Sequence, residues 1–173
     1  RRHRPAKPTG EATSYAWDAA GRLERMRDAT GETTLSHGAL GDLTELTWPD
    51  GTSERWERDA LGNVTSLTDA GGVTRRWSYD GRGLVSSASD ALGNVTSYSR
   101  DAEGALTSME GEGKATSFGR DALGRIASTR YPRGEVASCA WDACGRRESL
   151  AYPDGTVARW SWDAAGRLVG VDD

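Results

Sequence analysis

The feature that most constrains this chain is a seven-residue phrase that returns about every 21 residues. Its fullest copy, YDGRGLV at residues 79–85, places an aromatic residue before an Asp, and a Gly three residues after that Asp. Residues 17–23 and 162–168 both read WDAAGRL, and in the copy at residues 37–43 Gly38 replaces the Asp. A period of about 20 to 50 residues is the signature of a repeat architecture, so each copy is expected to form one supersecondary unit.

Two glycines per repeat mark two turns about ten residues apart, which leaves room for two short strands. An Asp at the first position of a type I turn accepts a backbone hydrogen bond, and a Gly at the fourth position adopts a positive φ without steric cost. We therefore predict a structural role in the turns rather than a metal or catalytic role. The residues given this role are Asp18, Gly21, Gly41, Asp59, Gly62, Asp80, Gly83, Asp101, Gly104, Asp121, Gly124, Asp142, Gly145, Asp163 and Gly166.

An aromatic column, defined here as the position three residues before each turn Asp, is predicted to pack between hairpins. Its candidate structural members are Tyr15, Trp56, Trp77, Tyr98, Phe118 and Trp160. Stacked hairpins are expected to place Trp56 beside Trp77. Apolar residues also recur two and five residues after the turn Gly, as at Leu23 and Met26. Because these two positions have opposite parity, either a β-bulge lies between them or both sheet faces are partly covered.

The remaining pattern favours an all-β chain. Thr, Ser, Glu and Arg separate the apolar positions, and no segment shows helical periodicity over eleven or so residues. Seven Trp, five Tyr and a net charge of −4 argue against disorder, which usually comes with few aromatics and high charge. We predict roughly sixteen short strands, paired as one hairpin per repeat.

The charge balance and the lack of long apolar runs exclude two classes of partner. With 26 acidic and 22 basic residues, no strong basic field and no nucleic-acid partner are expected. No apolar run approaches the roughly 18 residues that span a bilayer, so no membrane span is predicted.

The sequence offers no arrangement typical of a catalytic, cofactor or metal site. His37 follows Ser36, but no Gly-x-Ser-x-Gly nucleophile elbow exists. Residues 111–116, GEGKAT, lack the Gly-Lys-Ser/Thr of a phosphate loop and are interpreted as a turn. Cys139 and Cys144 are interpreted as free thiols, with a local disulfide as the alternative. We predict a non-enzymatic chain without cofactors.

Two segments are expected. Residues 1–11 are basic, contain two Pro and form a lead-in arm, with binding to an acidic surface as the alternative. Residues 12–173 form an array of about eight repeats. Because an open sheet edge invites pairing, we expect this array to continue into a longer one or to pair with other copies.

The phrase Tyr-Asp-x-x-Gly-Arg-Leu at this period resembles the YD repeats of Rhs proteins, bacterial ABC-toxin shells, wall-associated contact toxins and teneurins. The match is direct at residues 79–80, 21–23 and 166–168, whereas Arg147 replaces the usual aliphatic residue. In that family the repeats form a long β-sheet strip that spirals into a hollow shell. The resemblance implies tandem hairpins in a long curved antiparallel sheet, an arc of such a shell. No Asp-Pro dipeptide marks a self-cleavage centre in this sequence.

The resemblance also implies a function. The shell of an Rhs-type protein encloses a C-terminal toxin domain, in a bacterial toxin that is contact-dependent or delivered by secretion, including type VI secretion. The implied partners are the flanking repeats and the enclosed toxin polypeptide, with contact to a secretion apparatus or chaperone as a further expectation. The protein would be cytoplasmic before export. The alternative is a module that binds carbohydrate or a cell surface, because exposed Trp and Tyr stack on sugars.

Overall fold

The computed structural model describes residues 12–173, so the predicted arm at residues 1–11 lies outside the described residues. The described chain forms sixteen antiparallel β-strands and no helix, which confirms the all-β prediction. The strands are β1 Ser14–Trp17, β2 Leu23–Asp28, β3 Gly31–His37, β4 Leu43–Thr47, β5 Ser53–Arg58, β6 Val64–Thr68, β7 Thr74–Tyr79, β8 Val85–Ser89, β9 Val95–Arg100, β10 Leu106–Gly111, β11 Lys114–Arg120, β12 Ile126–Arg130, β13 Val136–Trp141, β14 Arg147–Ala151, β15 Val157–Trp162 and β16 Leu168–Asp172.

The chain divides into two compact units. The first unit ends at Ser78 and adds residues 89–93, and the second comprises residues 79–88 and 94–173. In the first unit β1 to β7 pair antiparallel in sequence order. In the second unit β9 to β16 do the same. Each unit is therefore a meander in which sequence neighbours are sheet neighbours.

Most loops are one kind of hairpin turn. The backbone N–H of Asp18 donates to the carbonyl of Arg22 at 2.8 Å, and the N–H of Gly21 donates to the carbonyl of Asp18 at 3.0 Å. Gly21 has a φ of 76°, which completes a type I turn followed by a left-handed residue. The loop at Glu112 and Gly113 differs, because both residues have positive φ, 52° and 69°, as in a type I′ turn.

A β-bulge follows the turn in each repeat for which the pairing is described. Trp17 pairs with Leu23, and Tyr15 pairs with Met26. The two pairs are therefore separated by two residues on β1 but by three residues on β2. The extra residue brings Leu23 and Met26 onto the same face as Trp17 and Tyr15. The same shift recurs in six further strand pairs. Of the two explanations left open for the apolar positions, the bulge is the correct one.

Within each unit the sheet is a single layer. No large side chain of the described residues is fully buried, and only Ser66, Ala137 and Ala158 are classed as buried at all. The aromatic face of the sheet, defined by the side chains that share a face with the aromatic column, thus lacks a covering layer among the described residues.

Candidate functional site: the turn edge and the aromatic face

The carboxylates of the Asp-x-x-Gly turns accept hydrogen bonds from their own turn. Asp142 Oδ1 accepts the backbone N–H groups of Cys144 and Arg146, each at 2.9 Å. Its Oδ2 accepts Arg146 Nε at 2.7 Å. The same Asp–Arg pair closes the turns at Asp18, Asp121 and Asp163. These carboxylates are engaged in shaping the turn and leave little capacity for a metal ion.

Hydrogen bonding lowers the pKa of nine turn carboxylates. For Asp142 the backbone N–H of Arg146 is the largest cause, and desolvation opposes it. For Asp59 the largest cause of the lowered pKa is the side-chain amide of Asn63. The nine groups with a lowered pKa are Asp18, Asp28, Asp50, Asp59, Asp80, Asp121, Asp142, Asp154 and Asp163.

An arginine staple, defined here as the arginine Nη1 of one turn bound to a backbone carbonyl of the next turn of its kind, links successive repeats. Arg125 Nη1 donates to the carbonyl of Asp142, and Arg146 Nη1 to that of Asp163, each at 3.3 Å. Arg22 reaches the carbonyl of Gly38 at 3.2 Å. The staple uses the carbonyl of the receiving residue, so the receiving turn does not need an Asp side chain.

The turn at Gly38 keeps its backbone geometry without the Asp. The N–H of Gly38 donates to the carbonyl of Asp42 at 2.8 Å, as in the other repeats. A Cβ added at Gly38 would meet Asp42 Oδ1 at 3.1 Å, so the carboxylate of Asp42 lies beside the vacant side-chain position. Asp42 Oδ2 also lies 3.3 Å from Arg58 Nε. A carboxylate has therefore moved from the first to the fifth position of this turn.

In three repeats the residue immediately before the turn Asp satisfies a backbone carbonyl of the preceding repeat. Trp141 Nε1 donates to the carbonyl of Ile126 at 2.9 Å, and Trp162 Nε1 donates to that of Arg147 at 2.8 Å. Arg120 Nη2 donates to the carbonyl of Leu106 at 3.1 Å. All three acceptors lie two residues after a turn Gly, at the bulge, where the ladder is interrupted.

No hydrogen-bonding role was predicted from the sequence for these pre-Asp residues. The available signal was chemical, because every one of them carries a planar head with an N–H or O–H donor. The eight residues are Trp17, His37, Arg58, Tyr79, Arg100, Arg120, Trp141 and Trp162.

The aromatic column is partly exposed. Tyr15 is 56% exposed, and the other five predicted members are half-buried. Trp56 pairs with Leu67, whose partner on the other side is Arg75. Strand β6 therefore lies between Trp56 and Trp77, and the expectation that the two are direct neighbours is wrong, because each repeat contributes two strands. The packing role of the column remains a prediction.

Arginine side chains fill the gaps between indole rings in the second unit. The guanidinium carbon of Arg147 lies 5.8 Å from the ring centroid of Trp141 and 5.3 Å from that of Trp160. Arg125 lies 5.5 Å from the Trp141 centroid. Cations at this distance from an indole are attracted by the ring quadrupole. Arg147 thus replaces the aliphatic residue of the other repeats and stacks against the neighbouring indole rings.

Other chemistry finds little support in residues 12–173. No group of three or more His, Cys, Asp or Glu side chains could hold a metal ion there. Cys139, half-buried, and Cys144, exposed, are both free thiols. The described residues include no helix long and apolar enough to cross a membrane.

Comparison with known proteins places these features in a family. The family model described as RHS Repeat matches residues 6–34, 39–74, 79–111 and 101–136, well over half of the chain. A search of curated proteins found no match.

Solved structures share the fold. A crystal structure of TcdB2-TccC3 without its hypervariable C-terminal region has a TM-score of 0.70 and 19% identity over 92% of this chain and 10% of its own. A Photorhabdus luminescens Tc holotoxin pore with a mutated TccC3 has a TM-score of 0.68 and 13% identity over 93% of this chain and 11% of its own. The chain thus spans about a tenth of the length of these neighbours. The resemblance to Rhs-type YD repeats is confirmed, and the chain belongs to the RHS repeat family.

Proposed function

We propose that this chain is a non-catalytic wall segment of an Rhs-type shell that encloses a toxin polypeptide. Its work is mechanical: to form a continuous barrier between the enclosed polypeptide and the exterior. The enclosed toxin domain and the flanking repeats are its proposed partners. Delivery from a bacterium to a target cell, with a cytoplasmic stage before export, completes the proposal.

The observation that carries this function is the two-way coupling of successive repeats. An arginine staple runs forward from one turn to the next, as from Arg125 to Asp142. In the reverse direction an indole N–H donates to a backbone carbonyl of the preceding repeat, as from Trp141 to Ile126. Staples from Arg22, Arg82, Arg125 and Arg146 and backward bonds from Arg120, Trp141 and Trp162 recur along the chain, so repeats that form the same contacts can extend the strip. Nearest-neighbour contacts of this kind are how repeat proteins build large surfaces.

Family and fold support the proposal. The solved structures with the same fold are parts of toxin complexes, a TcdB2-TccC3 assembly and a Tc holotoxin pore. The sheet is also a single layer whose aromatic face has no cover among the described residues. A wall needs one face toward its contents and one toward the exterior, which a single layer supplies.

Protease protection tests this function. The natural full-length polypeptide that carries this segment would be expressed and digested under native conditions. We expect the sequence downstream of the repeats to survive digestion. Deleting one complete repeat, residues 125–145, should expose that sequence at digestion times that leave the intact protein protected. Equal cleavage of the downstream sequence in both proteins would contradict the wall function.

A second candidate, a carbohydrate-binding surface, is favoured by one observation in the second unit. Two Tyr-Pro turns, with Tyr131 42% exposed and Tyr152 44% exposed, lie 21 residues apart. A depression of about 550 Å³ beside Tyr131 is lined by Gly113, Lys114, Pro132, Arg133, Glu135 and Pro153 as well. An exposed aromatic ring beside charged side chains of both signs suits stacking on and hydrogen bonding to a sugar. A glycan array with the unmodified chain and with Tyr131→Ala would test this. If no glycan binds the unmodified chain, or if every glycan that binds it also binds Tyr131→Ala, the candidate function is removed.

A further inference from the structure

Three arginines on the aromatic face of the second unit have no carboxylate partner among the described residues. Arg100 Nη1 donates to the carbonyl of Gly104 at 3.3 Å. Arg120 donates to two backbone carbonyls, and Arg147 contacts indole rings. The Nε groups of Arg100 and Arg120 are buried and lack a hydrogen-bond acceptor. This face therefore holds positive charge that the unit itself does not neutralise.

The arginines of the turn edge behave differently. Arg125 Nη2 lies 2.7 Å from Asp121 Oδ2, and Arg146 Nε lies 2.7 Å from Asp142 Oδ2. Their charges are compensated within the turn. The turn-edge arginines are thus neutralised locally, whereas Arg100, Arg120 and Arg147 on the aromatic face are not.

A depression of about 460 Å³ lies beside Arg147. Trp141, Ile126, Leu150 and Cys139 contribute to its lining, and no carboxylate does. Pockets of about 300–1,000 Å³ with apolar walls and a few polar groups are typical of ligand sites. A guanidinium beside apolar walls suits a group that combines an aliphatic or aromatic part with an anionic one.

The spacing of the cations suits an extended polypeptide. Arg100 is on β9 and Arg120 on β11, and strands two apart in a sheet are separated by about 9.6 Å. In a polyproline II segment, residues three apart lie on the same side and are separated by about 9.3 Å. Two acidic residues three positions apart in such a segment, running across the strands, would meet Arg100 and Arg120, whereas Arg147 on β14 lies about 14 Å beyond Arg120 and pairs with a carboxylate outside this spacing.

We propose that the aromatic face of the second unit binds an acidic polypeptide segment in which carboxylates are spaced about three residues apart with apolar residues between them. The carboxylates pair with Arg100, Arg120 and Arg147, and an apolar side chain enters the depression beside Trp141. Identifying this segment as part of the enclosed polypeptide rests on the proposed wall function. Binding itself does not, because it is measured on this chain alone, without the protease protection experiment.

Peptide titration tests the proposal. Three synthetic peptides of about twelve residues, four turns of polyproline II, would carry Glu, Gln or Lys at every third position with Leu beside it. Binding to the 173-residue chain would be followed by indole fluorescence and calorimetry. We expect the Glu peptide to bind with a salt-dependent affinity, the Gln peptide to bind at least about tenfold more weakly, and the Lys peptide to show no binding.

Matched variants locate the site. Arg147→Leu introduces the aliphatic residue that most other repeats have at this position, so the fold should be retained. We expect it to weaken the Glu peptide by about tenfold, the loss of one charge-assisted hydrogen bond. Arg159→Leu removes the same charge from the opposite face of the neighbouring strand, since Arg159 pairs with Ser149. It should leave the affinity unchanged.

Three results would overturn the proposal. Equal binding of the Glu and Gln peptides would remove the role of the cations. If Arg147→Leu and Arg159→Leu weaken binding of the Glu peptide equally, the affinity depends on net charge and not on a site beside Arg147. Tighter binding of a single-stranded oligonucleotide or of heparin than of the Glu peptide would assign the face to another class of partner. Arg100→Gln, checked for an unchanged circular dichroism spectrum, repeats the test at a second cation.

Discussion

The first and second units build the same turns but connect their strands through different side chains. In the first unit acid–base pairs predominate: Arg55 Nε lies 2.8 Å from Glu45 Oε1, and Arg58 Nε lies 3.3 Å from Asp42 Oδ2. In the second unit Arg147 lies between two indole rings, and on the opposite face Ser128 pairs with Ser138.

The ladders on that opposite face make the difference concrete. In the first unit Glu57 pairs with Ser66, which pairs in turn with Arg76. In the second unit Ser128 pairs with Gly119 on one side and Ser138 on the other. The turns fix the backbone, and the side chains that hold neighbouring strands together can be exchanged. The second unit therefore depends more heavily on its aromatic face.

The largest effect we expect is acid destabilisation common to both units. The nine turn carboxylates with lowered pKa values stabilise the folded state fully above the pKa of an unfolded Asp, about 4. This stability is lost as the pH falls below about 4, through the folded-state pKa values, because protonation removes the acceptors. Urea unfolding midpoints measured from pH 7 to pH 2 should stay level and then fall. A steep fall between pH 8 and pH 5 would contradict the assignment.

Next in size is the cost of a side chain at a turn glycine. Gly62 in the first unit and Gly124 in the second have φ values of 86° and 78°, and a Cβ would meet no atom within 4 Å at either. Replacement of each by Val should therefore cost backbone strain alone, about 1–3 kcal/mol, and equally in both units. Gly81→Ala, outside the positive-φ region, is the control and should not lower stability. Unequal losses in urea unfolding would break the claim of a shared turn.

Tryptophan substitutions should separate the units. Trp141→Ala in the second unit removes ring packing, two cation contacts and an N–H donor, and we expect a loss of about 3 kcal/mol. Trp77→Ala in the first unit removes a half-buried ring, so its loss should be nearer about 2 kcal/mol and should lower the melting temperature. Trp141→Phe keeps a ring and loses the donor, about 1 kcal/mol. If Trp141→Ala and Trp77→Ala lose the same unfolding free energy, the second unit does not depend more heavily on its aromatic face than the first.

The smallest effect concerns the partner of the turn carboxylate. Asp142 is paired with a charged Arg146, whereas Asp59 accepts the amide of Asn63 at 2.9 Å. We expect Asp142→Asn to lower the melting temperature more in dilute buffer than in about 1 M salt, because salt screens the exposed pair. Asp59→Asn should show little salt dependence. The same salt dependence in both variants would show that the type of partner does not matter.

Much of the fold could be predicted from the sequence because the turns recur in register. The spacing of glycines such as Gly62 and Gly83 predicts the number of strands, and the Asp-x-x-Gly phrase marks where the chain reverses in most repeats. The parity conflict between Leu23 and Met26 pointed to a bulge but left an alternative, because period-two alternation alone does not reveal an extra residue. The pairing pattern resolved it.

The contacts between repeats could not be predicted in the same way. The arginine staple depends on the direction of Arg125 Nη1 toward a carbonyl 17 residues later, and backbone acceptors leave no trace in side-chain sequence. The donor role of the pre-Asp position was hidden by its chemical variety, since Trp141 and Arg120 look unlike as residue types. Arg147 read as a departure from the pattern, although it is a partner for two rings.

The backward bonds from Arg120, Trp141 and Trp162 to the preceding bulge have a mechanical consequence. Tension applied along the polypeptide loads the outermost repeat first, and that repeat is held laterally by one strand pair, one staple and one indole or guanidinium bond. When these contacts break together, about 21 residues are released, which is about 70 Å of extended chain. Under force the strip should therefore unfold one repeat at a time from its end, and each unfolding step should lengthen the chain by the same amount.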